Sequence, residues 1–401
     1  GGYAICQFNP AIVDGAMSLV LVCNGAWNVV DGLSFPGAAS IKIGMLSPIT
    51  GGLAVYAPGF SLAANVAIGY MNTIQPLNFQ FSIIIADSAC DATTAGTSTQ
   101  ALIDAGVVGI AGAACSGATL GAIEVAKIGG VPMVSYASTS PAITNYDDDG
   151  YLFRVVPSDA QQGQALADTY EASGYTSPAL ISMTNDYGAG FADAFKANYG
   201  GDLCAEATYA DGTTDFTSQV AAVADNDCDS VVMITYATDG ATIVEEIATQ
   251  GLDVAIFGGD GIADVSFGDA FIDMSSISGI TATKPASGAD SSLSMLFDAI
   301  YAGASAAAGY SGGIYTRETF DAIAIIGLAQ ATAYRTPVDD GVKEMLGLTV
   351  AGPDAPQLGA SGVHIFDENG DVAGSGFDIC TFGVDDAGNA TLTCHSSWGR
   401  D

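Results

Sequence analysis

Apolar runs alternate with amphipathic segments along most of the chain, beginning at residue 41. Residues 79–86, 107–111 and 133–136 are almost continuously apolar, which is typical of parallel strands buried on both faces. The predicted helices between these strands are residues 62–71, 94–105 and 120–128. Strict alternation of strand and helix predicts a mostly parallel sheet that carries helices on both faces.

A second set of the same kind follows a stretch near residues 153–157 that we predict to pass between two lobes. Its predicted strands are residues 179–183, 205–209, 230–235 and 254–258, and its predicted helices are residues 162–172, 190–199, 216–224 and 241–249. Residues 279–285 predict a second passage. Two long helices, 293–308 and 319–332, and a β-rich tail over 362–394 complete the chain. The pattern therefore predicts an α/β protein with two doubly wound parallel-sheet lobes.

Polar residues stand where two of these strands end. Ser116 follows the strand at 107–111, and Thr139 follows the strand at 133–136. Ligands of open α/β sheets bind at the carboxyl ends of the strands. There, the free N–H groups and the dipole of the next helix favour an anion such as a carboxylate. The same two residues also fit simple helix capping, so the sequence leaves both roles open.

Residues 1–40 follow a different pattern and predict an N-terminal β-hairpin extension. Two apolar stretches, 17–23 and 26–30, flank Asn24-Gly25, a dipeptide that favours a two-residue hairpin turn. Residues 35–40 are typical of a linker. Because both faces of this hairpin are apolar, it must pack against the chain's own body or against a neighbouring subunit. The sequence leaves both partners open.

Charge excludes whole classes of function. The chain has 44 acidic residues against 9 lysines and arginines, a net charge of −35. Without a basic patch it is not expected to bind nucleic acid, and an anionic membrane surface would repel it. No uncharged apolar run is as long as a membrane span. No leader sequence begins the chain, so we expect a mature, secreted product from which a signal peptide has been removed.

The eight cysteines are even in number and fall into pairs of sequence neighbours. None forms a C-x-x-C metal or redox motif. Neighbour pairing predicts four disulfide bonds and an oxidising compartment, although buried free thiols would also fit the count. The predicted pairs are Cys6–Cys23, Cys90–Cys115, Cys204–Cys228 and Cys380–Cys394.

Candidate catalytic and metal-binding patterns are weak. The only histidines, His364 and His395, both lie in the β-rich tail and suggest no Ser-His-Asp or Cys-His arrangement. The single Gly-x-Ser-x-Gly motif, residues 309–313, follows a predicted helix and is better explained as a helix-ending turn. The acidic cluster at 147–149 lacks the spacing of a calcium loop. We therefore predict no enzyme, no cofactor and no metal, although a carboxylate-based hydrolase stays open.

A series of short motifs resembles the type I periplasmic binding proteins, specifically their leucine/isoleucine/valine-binding branch. The resemblance runs in unbroken order over residues 41–394 and leaves residues 1–40 outside. The motifs include Lys42-Ile-Gly-Met-Leu-Ser-Pro-Ile-Thr-Gly, Ala114-Cys-Ser-Gly-Ala-Thr, Val131-Pro-Met-Val-Ser-Tyr-Ala-Ser-Thr-Ser-Pro, Phe153-Arg-Val-Val-Pro-Ser-Asp and Phe257-Gly-Gly-Asp-Gly.

The resemblance implies a three-crossing hinge between two lobes. Lobe 1 would be residues 41–156 with 286–370, and lobe 2 would be residues 157–285 with 371–401. It also implies that Cys90–Cys115 is a bridge beside the ligand site. Arg154 would brace a crossing through an acidic partner.

The resemblance further implies a site for a small amino acid in the cleft. Ser116 and Thr139 would bind the α-carboxylate, helped by backbone groups around Ala137 and Ser138, and Asp260 would accept from the α-ammonium. The pocket would be completed by three tyrosines, Tyr187 and Tyr236 closing from lobe 2 and Tyr56 lining the side-chain pocket. As alternatives, Asp260 fits a turn and the tyrosines fit plain packing.

Together these features predict a periplasmic or extracellular solute-binding protein. It would clamp a small amino acid, for which branched-chain amino acids are the family precedent, and deliver it to the permease of an ABC importer. The alternative is that the same fold has been recruited as a self-assembling surface or filament subunit. That alternative depends on residues 1–40, because adding a strand to an open edge is an assembly mode.

Overall fold

The computed structural model describes residues 2–13, 16–28, 39–74, 79–335, 341–346 and 356–399. Side chains are described for residues 40–73, 79–334, 341–344, 346 and 356–399. Among the helices of these ranges, none is long and apolar enough to cross a membrane.

The N-terminal extension is a two-stranded antiparallel ladder of β1 (Gly2–Val13) and β2 (Ala16–Asn28). The predicted hairpin turn at Asn24-Gly25 is wrong, because both residues lie inside β2. The ladder instead pairs residues 2–13 with residues 16–28 along nearly their whole length. The register sets Cys6 opposite Cys23, but their predicted bond lies outside what the structure describes. The same holds for residues 35–38 of the linker predicted at 35–40, whereas its last two residues already belong to the strand Ala39–Ser47.

The first lobe is built on a five-stranded parallel sheet. Its strands are β3 (Ala39–Ser47), β4 (Phe79–Asp87), β5 (Ile110–Ala111), β6 (Met133–Ser135) and β7 (Leu152–Arg154), in the order β4-β3-β5-β6-β7. Its first helices are α1 (Ala57–Ile74), α2 (Ala92–Asp104), α3 (Ser116–Ile128) and the short α4 (Pro141–Thr144). Helix α2 packs on α3, and both contact the sheet.

The second lobe follows at once. Its helices are α5 (Asp159–Ser173), α6 (Asp186–Asn198), α7 (Thr217–Asp225) and α8 (Ala237–Thr249). Its parallel strands are β8 (Pro178–Met183), β9 (Ala205–Tyr209), β10 (Ser230–Ile234), β11 (Ala255–Gly258) and β12 (Thr281–Pro285). Every residue of β8 and β10 is buried, as expected for strands that helices cover on both faces.

The chain then returns to the first lobe. The returning helices are α9 (Ser292–Ala308), α10 (Thr316–Arg335) and α11 (Gly341–Met345). Helix α10 packs on α1 and contacts β5 and β6, so it belongs to the layer that covers the first sheet. Gly309 ends α9 in the left-handed conformation with φ +70°, which confirms that the Gly-x-Ser-x-Gly motif is a helix-ending turn.

The tail completes the second sheet. After the small ladder of β13 (Gln357–Leu358) and β14 (Val363–His364), the hairpin of β15 (Phe377–Val384) and β16 (Ala390–Trp398) adds antiparallel to β12. The second sheet therefore has the order β16-β15-β12-β11-β10-β8-β9. The chain passes between the two sheets after β7, after β12 and before β15, so the lobes share the predicted three-crossing hinge.

Arg154 braces this hinge. It is fully buried at the end of β7, and its guanidinium donates to the Asp371 carboxylate, at 2.6 Å from Nε and 2.8 Å from Nη2. Asp371 lies on the third passage. The remaining N–H groups donate to Ser138 O, Ser140 O and Thr144 Oγ1. The predicted acidic partner is thus Asp371, and all five donors of the guanidinium are in use.

Three of the four predicted disulfide bonds are present. They are Cys90–Cys115, Cys204–Cys228 and Cys380–Cys394, with Cα atoms 5.2, 5.8 and 3.8 Å apart. The first bond joins the turn before α2 to the residue preceding α3, so it ties together two helices that pack on each other.

Removing the Cys90–Cys115 bond by the double substitution Cys90→Ala and Cys115→Ala is expected to lower the free energy of unfolding by about 3 kcal/mol. The bond closes a loop with a sequence separation of 25, and its loss restores conformational entropy to the unfolded chain. Urea unfolding measures the change. Peptide mapping without reductant supplies the control, and recovery of alkylated Cys90 and Cys115 from the native protein would contradict the bond.

Candidate functional site

A buried cavity lies where the carboxyl ends of the two sheets face each other. Six of the predicted ligand-binding residues line it: Tyr56, Ser116, Ala137, Tyr187, Tyr236 and Asp260. The other lining residues are Leu53, Phe60, Ala114, Gly261, Ile314 and Tyr315. Each predicted residue follows the end of a parallel strand, which explains why residues so far apart in sequence meet here.

Ser116 and Thr139 lie on the lobe 1 side, and neither caps a helix. Ser116 is the first residue of α3, whose N-cap is Cys115, while the N-cap of α4 is Ser140. The Ser116 hydroxyl accepts from the Ser140 amide at 3.2 Å. Thr139 Oγ1 is buried and makes no hydrogen bond. A free hydroxyl beside a helix N-terminus is suited to a polar ligand, because a buried polar atom without a partner is costly.

Ala137 faces the cavity, whereas the side chain of Ser138 does not. Ala137 lines the cavity and carries no polar side chain. The Ser138 hydroxyl points into lobe 1, where it bonds Thr119 Oγ1 at 2.7 Å and donates to Ala113 O at 3.0 Å. The Ser138 side chain therefore bonds within lobe 1, and its amide and carbonyl are also engaged there, by Ser135 Oγ and Arg154.

Asp260 is the charged residue of the lobe 2 side. Its carboxylate accepts from Tyr187 OH at 2.9 Å and from Tyr315 OH at 2.6 Å, and only 4% of the residue is exposed. Burial raises its pKa, and the two tyrosine hydroxyls oppose that rise. An ammonium group placed here would supply the positive charge that a buried carboxylate lacks.

The tyrosines form an aromatic wall. The Tyr187 and Tyr236 rings stack with centroids 5.2 Å apart and planes inclined by 16°. The Tyr56 hydroxyl donates to Gly261 O at 3.2 Å, which joins lobe 1 to lobe 2. Burial raises the pKa of all three hydroxyls, so they act as neutral hydrogen-bonding groups at physiological pH.

Two important residues carry no clear sequence signal. Tyr315 stands just before α10 with φ +55°, a left-handed conformation that is unusual for a bulky residue. Asp159 is the first residue of α5 and in sequence is indistinguishable from the acidic residue that often begins a helix. In the structure its carboxyl group is fully buried, and neither oxygen has a hydrogen-bond partner.

Further contacts hold the lobes together beside the cavity. The buried Asp264 carboxylate, on the lobe 2 side, accepts at 2.8 Å from the amides of both Gly313 and Ile314, on the lobe 1 side. Ser140 Oγ donates to Asp186 O at 2.8 Å. The cavity encloses only about 20 Å³. That space holds about one water molecule, and an amino acid is several times larger, so the lobes must separate to admit one.

One polar cluster superficially resembles a catalytic triad. His364 Nε2 lies 2.9 Å from Asp321 Oδ2, and Ser361 Oγ donates to the same oxygen at 2.6 Å. Asp321 also accepts from the amides of Ala360 and Ser361. All three side chains are buried, and Ser361 Oγ also lies 3.3 Å from His364 Nε2. A relay needs serine and aspartate on different imidazole nitrogens, whereas here Nε2 faces both. The cluster fastens the segment around β14 to α10. No group of three potential metal ligands occurs among the described residues.

Comparison with known proteins identifies the fold and family. The family model for periplasmic binding proteins matches residues 40–357. Leu/Ile/Val-binding protein homolog 3 of Brucella melitensis is 24% identical over 256 residues, which cover 63% of this chain and 69% of that protein.

Two solved structures share the fold. One is the branched-chain amino acid transporter substrate-binding protein LivJ of Streptococcus pneumoniae in complex with isoleucine, with a TM-score of 0.75, 23% identity, and coverage of 89% of this chain and all of that one. The other is an ABC-transporter solute-binding protein of Rhodopseudomonas palustris in complex with 3,4-dihydroxybenzoic acid, with a TM-score of 0.72, 20% identity, and coverage of 90% and 98%.

These matches favour a solute-binding role and give no support to the filament subunit considered as an alternative. A periplasmic binding protein family also implies a location outside the cytoplasm. The family model matches most of the chain, from residue 40 to residue 357, and this match establishes the family. The chain belongs to the periplasmic binding proteins, as a type I member of their Leu/Ile/Val-binding branch.

Proposed function

We propose that this chain is an extracytoplasmic solute-binding protein that closes its two lobes on a small α-amino acid and delivers it to an ABC importer. The lobes would be residues 41–156 with 286–370 and residues 157–285 with 371–401. The mature protein would act after removal of a signal peptide, with the importer's permease as its partner.

The observation that carries the proposal is the charge arrangement of the cavity. Ser116 stands at the N-terminus of α3, where free N–H groups favour a carboxylate, and the buried Asp260 carboxylate faces it from the other lobe. A zwitterion has one charge for each of these groups. Burying it is favourable only when both of its charges are matched in this way.

The apolar part of the cavity supports an uncharged side chain. Leu53, Phe60 and Ile314 lie with Tyr56 around it, and none of them offers a charge. Aliphatic or polar-uncharged amino acids are therefore favoured over acidic or basic ones. An aromatic carboxylic acid would suit the rings of the cavity, but it would leave Asp260 without a positive partner.

Isothermal titration calorimetry with the twenty common amino acids tests this function. We expect at least one aliphatic or polar-uncharged amino acid to bind, while the deaminated and decarboxylated analogues of that amino acid bind at least 100-fold more weakly. The loss follows from the buried polar groups that each analogue leaves unpaired. Benzoate derivatives are the competing ligands. If the amine-free acids bind as tightly as the parent amino acid, the zwitterion site is wrong.

A further inference from the structure

A second cavity lies at the hinge and shares Ile314 and Tyr315 with the first one. Its walls come from both lobes, with β12 and β15 on one side and α9 and the start of α10 on the other. This hinge cavity, lined among others by Lys284, Phe297 and Arg317, encloses about 220 Å³, against about 20 Å³ in the first cavity. A cavity of about 150 Å³ can hold benzene, so the hinge cavity has room for a small organic molecule.

Lys284 is a cation of this cavity without a partner. It lies partly buried at the carboxyl end of β12, which is flanked in the sheet by β11 and β15. Its ammonium makes no hydrogen bond or ion pair with the described residues. The other lysines each donate to a carbonyl or carboxylate oxygen: Lys42, Lys127, Lys196 and Lys343. A charge partly withdrawn from water is stabilised by an opposite charge, so this position favours an anion.

Arg317 supplies a second donor group to the same cavity. Its Nε and Nη2 hold the Asp298 carboxylate, whereas Nη1 makes no hydrogen bond with the described residues. Two of the nine basic residues of a chain with a net charge of −35 therefore line one cavity. Ammonium and guanidinium groups form their strongest hydrogen bonds with carboxylates and phosphates.

The carboxyl groups that line the hinge cavity leave this positive charge available. Asp298 is held in its ion pair with Arg317, and Asp378 accepts from a serine hydroxyl of β16 at 2.7 Å. Burial raises the pKa of Glu318 to about 7, so near neutral pH a large fraction of this group is protonated. A protonated carboxyl donates a hydrogen bond to an anion instead of repelling it.

The remaining wall is apolar. The rings of Phe297 and Tyr301 stack with centroids 5.4 Å apart and planes inclined by 21°. Pro285 and Ile314 add aliphatic surface. Binding sites for small molecules combine such apolar walls with a few polar groups that fix the orientation of the ligand. An anion with an apolar body therefore fits this cavity better than an inorganic ion does.

We propose that the hinge cavity is a second ligand site, which binds a small organic anion through Lys284 and Nη1 of Arg317. The carboxylate or phosphate of the ligand pairs with these two groups, and its apolar body packs against Phe297 and Tyr301. Because Lys284 belongs to the second sheet and Arg317 to a helix that covers the first, the ligand bridges the two lobes. The site is separate from the proposed amino-acid site, since neither basic residue lines the first cavity.

Isothermal titration calorimetry with benzoate tests this site, with benzamide as the uncharged ligand of the same shape. We expect wild type to bind benzoate about ten-fold or more tightly than benzamide, because hydrogen bonds to charged groups contribute about 1.5–3 kcal/mol each. Lys284→Met should weaken benzoate binding by about the same factor. The matched control is Lys196→Met, which removes an equal charge from a surface pair and should leave the affinity unchanged.

Two further variants guard against a folding defect. Arg317→Lys keeps a positive charge beside Asp298 and removes Nη1, and we expect it to weaken benzoate binding as well. Lys284→Arg retains the charge and should bind benzoate more tightly than Lys284→Met does. The inference would be overturned by equal benzoate affinity of wild type and Lys284→Met, by inorganic phosphate binding as tightly as benzoate, or by no benzoate binding to wild type. None of these results would affect the proposed amino-acid site, which depends on Asp260.

Discussion

Replacing Arg154 with methionine is expected to lower the free energy of unfolding by about 3–5 kcal/mol, because breaking a buried ion pair leaves its partner uncompensated. The substitution removes the guanidinium from a fully buried position and strands the Asp371 carboxylate, whose side chain is 13% exposed. It also removes the donors that satisfy Ser138 O and Ser140 O, next to the cavity.

Urea unfolding followed by circular dichroism measures this loss. Lys196→Met is the matched control, because Lys196 pairs with Glu206 at the surface, with side chains 36% and 46% exposed. Exposed pairs typically contribute less than about 1 kcal/mol, so the control should unfold at nearly the wild-type concentration of urea. Equal losses in the two variants would mean that the buried Arg154–Asp371 pair stabilises the fold no more than a surface pair does.

Asp260→Ala is expected to weaken amino-acid binding by about 2–5 kcal/mol, which corresponds to roughly 30-fold to several thousand-fold in Kd. The substitution leaves the α-ammonium of the ligand buried opposite two tyrosine hydroxyls that have lost their acceptor. The ligand pays the desolvation of its charge without recovering it in an ion pair.

Calorimetry with the amino acid that wild type binds best measures the change. Asp193→Ala removes the same charge from α6, where the Asp193 side chain is 78% exposed and remote from the cavity lining. It should bind within a factor of about two of wild type, because an exposed charge is screened by water and salt. A similar loss in both variants would point to overall charge instead of a direct contact.

Most of the fold could be predicted because its signals are local. Buried parallel strands such as β8 and β10 are continuous apolar runs, and helices such as α5 and α9 show helical spacing and end at a glycine with positive φ. The N-terminal register could not be predicted in this way. Asn24-Gly25 has the sequence of a tight turn, but it lies inside a long strand whose partner comes from the start of the chain, and such distant pairing leaves no local signal.

The candidate site was predictable only in part, for a related reason. Ser116, Thr139 and Asp260 stand at strand ends, so topology and family resemblance point to them together. Tyr315 reaches Asp260 from a loop that no strand precedes. Asp159 has the sequence of an ordinary helix start, and only the absence of any hydrogen bond to its buried carboxyl sets it apart.

Under the proposed function, the two amide bonds from Gly313 and Ile314 to Asp264 would have a kinetic consequence for ligand release. These bonds join the two lobes, so each opening that releases a ligand would have to break them as well as the contacts of the ligand itself. Hydrogen bonds to a charged group contribute about 1.5–3 kcal/mol each, and each 1.4 kcal/mol corresponds to a factor of ten in a rate or equilibrium constant. The residence time of a bound amino acid would thus be set partly by bonds that the amino acid never makes, whereas the choice among amino acids would depend on the residues that line the cavity.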